Sequence, residues 1–156
     1  MKTNNVTRLL DSRKVAYTAH ELPAEKLSAV EAAAILGVPA GQVFKTIVIT
    51  REGKGKPLLA VVPGPKEVNL KALARVVGEK KVFLPTEHEA ERLTGLQAGG
   101  ISPLALLNRG FQVILDTSAQ GYERIFVSGG QRGLNIELPA EALISMCRAK
   151  IAEIST

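Results

Sequence analysis

The sequence has little of several things that whole classes of protein need. Its one cysteine, Cys147, cannot form an internal disulfide, and a cysteine-rich metal cluster is excluded. The two histidines, His20 and His88, lie far apart and show no zinc-ligand spacing, so we expect no metal site. The P-loop, the G-x-G-x-x-G pattern and the nucleophile elbow G-x-S-x-G are also missing. We therefore expect neither a nucleotide-dependent enzyme of those types nor a cofactor.

Long apolar runs and aromatic residues are scarce as well. The longest apolar runs, such as residues 58–62, are far shorter than the roughly 20 residues that span a bilayer, and the polar N-terminus does not resemble a signal peptide. We expect no membrane contact and a reducing, cytoplasmic location. Aromatic residues make up 4% of the chain and tryptophan is absent, which argues against a long groove that stacks single-stranded bases. Contacts to a few phosphates need only Lys, Arg and backbone amides.

What the sequence does have is an ordinary globular composition with a localised charge. Hydrophobic residues make up 46% and charged residues 22%, which indicates one folded domain over residues 1–156. The net charge is +5, and residues 51–81 hold eight basic side chains against three acidic ones, which accounts for all of it. This segment predicts an anionic partner.

Hydrophobic periodicity and caps predict alternating helices and strands. Ser28 with Glu31 forms a capping box, Asn69 and Thr86 are N-caps, and Glu89 stands at the box position of Thr86. Helices are predicted over residues 3–14, 29–36, 70–77, 86–93 and 139–154, and strands over 15–22, 43–50, 58–62, 81–84, 112–116, 124–128 and 134–138. This order favours an α/β fold with a mixed, mainly antiparallel, partly barrel-like central sheet flanked by helices.

Lys45 is the strongest single candidate for a catalytic or ligand-binding residue. Alternation along the strand places it on the same face as Val43, Ile47 and Ile49. A lysine on an apolar face extends to water, finds a partner or lines a cleft, where it can hold an anionic group. The alternative is a lysine near a strand end whose ammonium simply reaches solvent.

Two glycine-rich loops are the other candidates. Residues 99–103, Gly-Gly-Ile-Ser-Pro, can bring backbone N–H groups close to a carbonyl oxygen or a phosphate, or can form an ordinary turn. Residues 128–133 join two predicted strands and read either as a simple hairpin loop or as the polar lip of a pocket, with Ser128 inward and Arg132 available to a phosphate.

Three motifs, taken together and in order, resemble the YbaK/EbsC family. They are Val-Phe-Lys-Thr at 43–46, the glycine loop at 99–103, and Val-Ser-Gly-Gly-Gln-Arg-Gly-Leu-Asn-Ile-Glu-Leu at 127–138. Members of the family are free-standing aminoacyl-tRNA deacylases related to the editing domain of prolyl-tRNA synthetase. The resemblance implies hydrolysis, in trans, of the ester on mischarged tRNA, with Cys-tRNA(Pro) or another mischarged tRNA(Pro) as substrate. It also implies the acceptor end of tRNA and prolyl-tRNA synthetase as partners.

The resemblance assigns roles to particular residues. Lys45, Gly99 and Gly100 are the expected catalytic residues; Phe44, Thr46, Ile101, Ser102, Ser128 and Asn135 are expected to bind substrate. From the basic segment and the second loop, Lys54, Lys56, Lys66, Lys71 and Arg132 are expected to contact tRNA. This chain differs from many members of the family at two positions, with Leu22 where they have Tyr and Asn135 where they have Asp, so the amino acid that is removed stays open.

The mechanistic hypothesis is that Lys45 anchors the terminal adenosine or its phosphate, while the Gly99 and Gly100 amides face the ester carbonyl oxygen. The attacking group is a bound water, or the substrate's own thiol if the amino acid is cysteine. Two other readings stay open: a non-catalytic tRNA- or protein-binding module of the same fold, and a hydrolase of free aminoacyl esters that does not need tRNA.

Overall fold

The computed structural model describes residues 3–53 and 55–156. The helices are α1 (Asn5–Ser12), α2 (Ala29–Leu36), α3 (Leu70–Val77), α4 (Glu87–Thr94) and α5 (Ala140–Cys147). The strands are β1 (Thr18–Glu21), β2 (Phe44–Arg51), β3 (Leu58–Pro63), β4 (Val82–Phe83), β5 (Gln112–Asp116), β6 (Arg124–Ser128), β7 (Leu134–Pro139) and β8 (Lys150–Ala152). In the part of the chain that is described, none of the helices combines the length and apolar character that crossing a bilayer requires.

Local capping sets where the helices begin and end. The Ser28 hydroxyl accepts the N–H of Glu31, whose carboxylate accepts the N–H of Ser28 in return, which completes the predicted capping box. Asn69 and Thr86 cap their helices as predicted. The Glu89 carboxylate pairs with Arg92 instead of returning to its cap. Helices α2, α3 and α4 each stop at a left-handed glycine, namely Gly37, Gly78 and Gly95.

The strands form two sheets. The small sheet has the order β1-β7-β6 and is antiparallel throughout. The large sheet has the order β4-β2-β3-β5-β8, antiparallel around β2 but parallel from β3 to β5 and from β5 to β8. A parallel bridge between Val43 and Phe126 joins the start of β2 to the small sheet. The fold is thus mixed α/β, as predicted.

In the C-terminal half, strand β5 pairs in parallel with β3 and with β8. One prediction there is wrong in detail. The terminal helix was expected to run to residue 154, but it ends at Cys147, and Arg148 takes a left-handed conformation. The chain beyond it gains more from the sheet than from further helix, because β8 pairs with β5 and Ile154 is fully buried.

The two faces of β2 and β3 lie in different parts of the core. All residues of β3 are buried, with Leu59 and Val61 in the larger cluster and Leu58, Ala60 and Val62 in the cluster covered by α3. On β2, Ile47 and Ile49 pack against the cluster under α3, and alternation places Lys45 on that same side. The predicted facing of Lys45 is therefore consistent with the packing of its strand.

Candidate active site

A cavity of about 270 Å³ lies where the start of β2 meets both glycine-rich loops. Residues 43–47, all consecutive, line it. Because successive strand side chains point to opposite faces, five in a row can border one cavity only if it lies along the edge of the strand. The remaining walls are Leu22, Glu25, Leu27, Ser28, Ala29, Ala32, Gly64, Ala98, Gly99, Ile101, Ser128, Gly133, Leu134 and Asn135.

Most of the residues expected to form a site meet at this cavity, although they come from distant parts of the chain. The lining includes Phe44, Lys45, Thr46, Gly99, Ile101, Ser128 and Asn135. Strand β2 supplies the first three, the turn after α4 supplies the next two, and the β6–β7 hairpin supplies the last two. Gly100 and Ser102 are not part of the lining.

The adjacent glycines Gly99 and Gly100 occupy different environments. Gly99 is exposed, has a φ of 88°, and its N–H has no protein acceptor among the described residues. Gly100 is buried, and its N–H donates to the Gln97 carbonyl at 2.8 Å. A Cβ on Gly100 would lie 2.9 Å from the Cα of Gln131. Gly100 therefore lets the turn pack against the hairpin, and only the Gly99 N–H is left for a ligand.

Ser102 has a role within the turn. It is fully buried, and its hydroxyl accepts the N–H of Leu104 at 3.1 Å. Arg132 also acts at the boundary of the two loops, because its Nε donates to the Ala98 carbonyl at 2.8 Å. Both interactions hold the glycine turn and the hairpin in place beside the cavity.

Lys45 reaches the mouth of the cavity. Its side chain is 23% exposed, and Nζ lies 3.4 Å from Oε1 of Glu67, whose side chain is 82% exposed. A pair this long, with a solvated carboxylate, is worth about 0–1 kcal/mol. An incoming anion could therefore replace Glu67 at little cost.

Two buried side-chain oxygens have no hydrogen-bond partner in the described residues, and both belong to residues that line the cavity. They are Oγ1 of Thr46 and Oδ1 of Asn135. Leaving such an atom unsatisfied costs about 1–3 kcal/mol, and buried polar groups in folded proteins are nearly always paired. Both oxygens are fully covered in the free protein, so they become partners for a ligand only where its binding opens the wall around them.

The basic segment 51–81 is divided by the β2–β3 hairpin. Lys45 pairs with Val62 at one end of these strands, and about 20 Å of extended chain separates it from Arg51 at the other end. Lys56 lies near that far end, where its Nζ is 6.0 Å from the centre of the Phe111 ring. Arg51 is held in a half-buried pair with Glu79. Lys54 lies outside the described residues.

Lys66 and Lys71 belong to the other end of the segment. Lys66 is exposed just after β3, and its N–H donates to the Pro63 carbonyl at 3.0 Å, next to the end of β2 that carries Lys45. Lys71 is exposed in the first turn of α3. The segment thus offers two separate groups of cations, one with Lys56 at the far end of the strands and one with Lys66 and Lys71. Lys66 lies next to the end of β2 that carries Lys45.

A charged cluster lies close by but outside the lining, on the face of the small sheet that also carries Asn135 and Phe126. His20 Nε2 is 2.9 Å from Oε1 of Glu137, and Arg124 Nε donates to the other carboxylate oxygen at 3.1 Å. The hydrogen bond from His20, with a smaller contribution from Arg124, holds the pKa of Glu137 below its usual value despite partial burial. His20 is paired across the strands with Asn135, so this cluster borders the site.

Two acidic residues at the site were not expected from the sequence. Glu25 lines the cavity and Glu67 meets Lys45. Both lie in loops, where no periodicity relates a side chain to the residues it will face.

Cys147 is excluded as a nucleophile, because burial raises the pKa of its thiol to about 12.

Comparison with known proteins connects this geometry to a family. Residues 23–146 match the family model of the aminoacyl-tRNA editing domain. Over 154 residues the chain is 40% identical to EbsC of Enterococcus faecalis, whose name describes a Cys-tRNA(Pro)/Cys-tRNA(Cys) deacylase; the match covers 97% of this chain and 93% of EbsC. It is also 27% identical over 113 residues to a proline–tRNA ligase of Geobacter metallireducens, covering 72% of this chain but 19% of the ligase.

Solved structures share the whole fold. The hypothetical protein APE2540 superposes with a TM-score of 0.89 at 24% identity, covering 98% of this chain and 100% of that one. A protein described as a trans-editing enzyme for prolyl tRNA synthetase superposes with a TM-score of 0.83 at 26% identity, covering 100% of this chain and 99% of the other. The match over nearly the full length of both chains confirms the predicted fold class.

Proposed function

Because this chain belongs to the aminoacyl-tRNA editing domain family, we propose that it hydrolyses, in trans, the ester that joins a wrong amino acid to the 3′ end of tRNA. Cys-tRNA(Pro), or another mischarged tRNA(Pro), is the substrate that the relationship to EbsC and to proline–tRNA ligases favours. The observation that carries the proposal is one cavity lined by Lys45, Thr46, Gly99 and Asn135, with an unsatisfied buried oxygen in Thr46 and another in Asn135.

The cavity suits an ester that is already reactive. In the proposed reaction a water oxygen attacks the carbonyl carbon, the bond to the ribose oxygen breaks, and a water proton passes to that oxygen. The products are the free amino acid and the deacylated tRNA. If cysteine is the amino acid, its own thiol can instead displace the ribose oxygen, with the thiol proton passing to it and a cyclic thioester leaving.

Each group has a distinct part in the proposal. The Gly99 N–H donates to the carbonyl oxygen as negative charge develops there, and loss of one such donor typically lowers the rate by about 10²–10³-fold. Lys45 leaves Glu67 and holds the terminal phosphate or the developing charge. The Thr46 hydroxyl and the Asn135 amide orient the aminoacyl or ribose hydroxyls, and Ser128 and Ile101 close the sides of the cavity. Gly100 supports the turn from behind.

The acceptor stem is held by charge and not by base contacts. Lys66 follows β3 at the end of the strands that carries Lys45, and Arg132 contacts the glycine turn at Ala98. Lys71 is exposed at the start of α3, while Lys56, about 20 Å along the strands from Lys45, would meet a more distant part of the tRNA. A link to prolyl-tRNA synthetase is part of the same proposal, since the ligases contain a related segment.

The deciding experiment is a deacylation assay across mischarged tRNAs with the wild type, Lys45→Ala and Lys80→Ala. Lys80 is exposed in the same basic segment but precedes β4, at the far end of β2. We expect Lys45→Ala to lose activity by at least about 10²-fold while thermal unfolding stays nearly unchanged, since its ion pair is weak. Lys80→Ala should retain activity.

Three results would contradict the proposal. Near-wild-type turnover by Lys45→Ala would remove the lysine from the mechanism. A wild-type protein that binds tRNA but deacylates none of the mischarged tRNAs would be the non-catalytic module. Hydrolysis of free aminoacyl esters as fast as of aminoacyl-tRNA would instead identify a small-molecule hydrolase.

A further inference from the structure

The cavity contains two charged side chains of opposite sign among its described lining residues, Glu25 and Lys45. An aminoacyl end of tRNA also carries two kinds of charge: phosphate anions and the α-ammonium of the amino acid. Lys45 matches the first. Glu25, whose charge has no role in the proposed hydrolysis, matches the second.

The Glu25 carboxylate is free to accept a ligand. It is exposed, lines the cavity and has no hydrogen-bond or ion-pair partner among the described residues. The nearest cation along the chain, Lys26, is paired with Glu87 and does not neutralise it. The N–H of Glu25 donates to the Pro23 carbonyl at 2.8 Å, which fixes the turn that carries the side chain.

The position of this turn relative to Gly99 makes the assignment specific. A Cβ built on Gly99 would lie 3.3 Å from Cα of Lys26 and 3.5 Å from the backbone nitrogen of Leu27, so the turn is in direct contact with the glycine. In an aminoacyl ester the α-nitrogen is about 2.5 Å from the carbonyl carbon, two bonds away. A group that binds the α-ammonium must therefore lie beside the group that binds the carbonyl oxygen.

We propose that Glu25 binds the α-ammonium of the aminoacyl group, and so restricts the enzyme to esters with a free α-amine. This inference rests on the proposed deacylase function and on Gly99 as the carbonyl donor. It makes Glu25 a specificity-determining residue that orients the ester by its amine, while Lys45 orients it by its phosphate.

The test compares two substrates that differ in the amine alone. They are cysteinyl-tRNA(Pro) and its deamino analogue, 3-mercaptopropionyl-tRNA(Pro), and each enzymatic rate is divided by the spontaneous hydrolysis rate of that ester. The deamino analogue is smaller than the amino acid, so a size limit cannot reject it. The proteins are the wild type, Glu25→Gln, and the charge-matched control Glu123→Gln. Glu123 is exposed and directly precedes β6, whereas Ser128 of the cavity lies at the other end of that strand.

We expect the wild type to prefer the amine-bearing ester by about tenfold in kcat/KM. This factor is at the lower end of the range for a hydrogen bond to a charged group, because Glu25 is exposed to solvent. Glu25→Gln should lower kcat/KM by that factor for cysteinyl-tRNA(Pro) alone, with no change on the deamino ester. Glu123→Gln should behave as the wild type on both, and all three proteins should unfold at the same temperature.

Three outcomes would overturn the inference while leaving the deacylase function intact. They are a wild type that makes no distinction between the esters, a Glu25→Gln variant that is unchanged on both, and one that is slowed equally on both. The last result would mean that Glu25 contacts the ribose or holds the loop. If the wild type hydrolyses no mischarged tRNA at all, the proposed function fails, and the role of Glu25 fails with it.

Discussion

Replacing Thr46 with Val should make the protein more stable and less active at the same time. The two side chains have similar volume, so the substitution removes the unsatisfied hydroxyl without opening a cavity. Since a buried unsatisfied hydroxyl costs about 1–3 kcal/mol, we expect a gain of at least about 1 kcal/mol in the free energy of unfolding. In a chain of 156 residues this raises Tm by about 2–4 °C per kcal/mol.

The same substitution should lower the deacylation activity, because in the proposed complex the Thr46 hydroxyl forms a hydrogen bond with the substrate. Losing one neutral hydrogen bond, worth about 0.5–1.5 kcal/mol, lowers kcat/KM by about 2- to 12-fold. The assays are thermal unfolding without substrate and deacylation of mischarged tRNA(Pro) under the same buffer conditions.

Thr94→Val is the matched control. Thr94 is fully buried, but its hydroxyl donates to the Ala90 carbonyl at 2.9 Å and accepts the N–H of Leu96 at 3.1 Å. The same change there should lower stability by about 1–3 kcal/mol. If Thr46→Val is destabilised to the same extent as Thr94→Val, the Thr46 hydroxyl is already paired in the free protein, and the reasoning from unsatisfied atoms is refuted.

Three further predictions concern the turn, the C-terminal strand and the charges. Gly100→Ala should lower Tm and deacylation together, since its Cβ would meet the Gln131 backbone at 2.9 Å, whereas Gly121→Ala, with no atom within 4 Å, should change neither. Burial alone would raise the pKa of Asp116, but hydrogen bonds from Ser118 and Ile154 lower it overall, so its contribution to stability is present above its unfolded pKa of about 4 and is lost as pH falls further. In acid unfolding curves the deficit of Asp116→Asn should therefore shrink below that pH; a constant deficit would contradict the pKa direction. tRNA affinity should fall with log salt at about 0.7–0.9 per neutralised phosphate, and a slope that is unchanged in the Lys66→Ala, Lys71→Ala double variant would exclude these lysines as contacts.

Much of the fold could be predicted because its determinants are local. Ser28 with Glu31 and the glycines after α2 and α3 encode helix ends within a few residues, and the structure places those ends there. The end of α5 could not be found in this way. Residues 148–154 have helical periodicity, but their partner is β5, more than thirty residues earlier, and only the folded sheet shows that its edge is available.

The part of the site that belongs to the three ordered motifs could be predicted from the sequence. Lys45, Thr46, Gly99, Ser128 and Asn135 all line the cavity. The motif could not show that Gly100 and Ser102 differ in role from their neighbours Gly99 and Ile101. Gly100 and Ser102 use their polar groups within the turn and do not line the cavity. Glu25 was missed for the opposite reason: a lone loop carboxylate has no pattern that relates it to Lys45.

The cavity borders the edge of β2 with residues 43–47, whereas much of its opposite wall is the connection between β1 and α2. These two walls are subject to different evolutionary constraints. Substitutions on the strand disturb the core clusters, but exposed residues of the connection, such as Glu25, can change at a cost of about 0.5 kcal/mol or less. Substrate preference can therefore diverge among descendants of this fold by drift in one short loop, while the strand that carries Lys45 remains as it is.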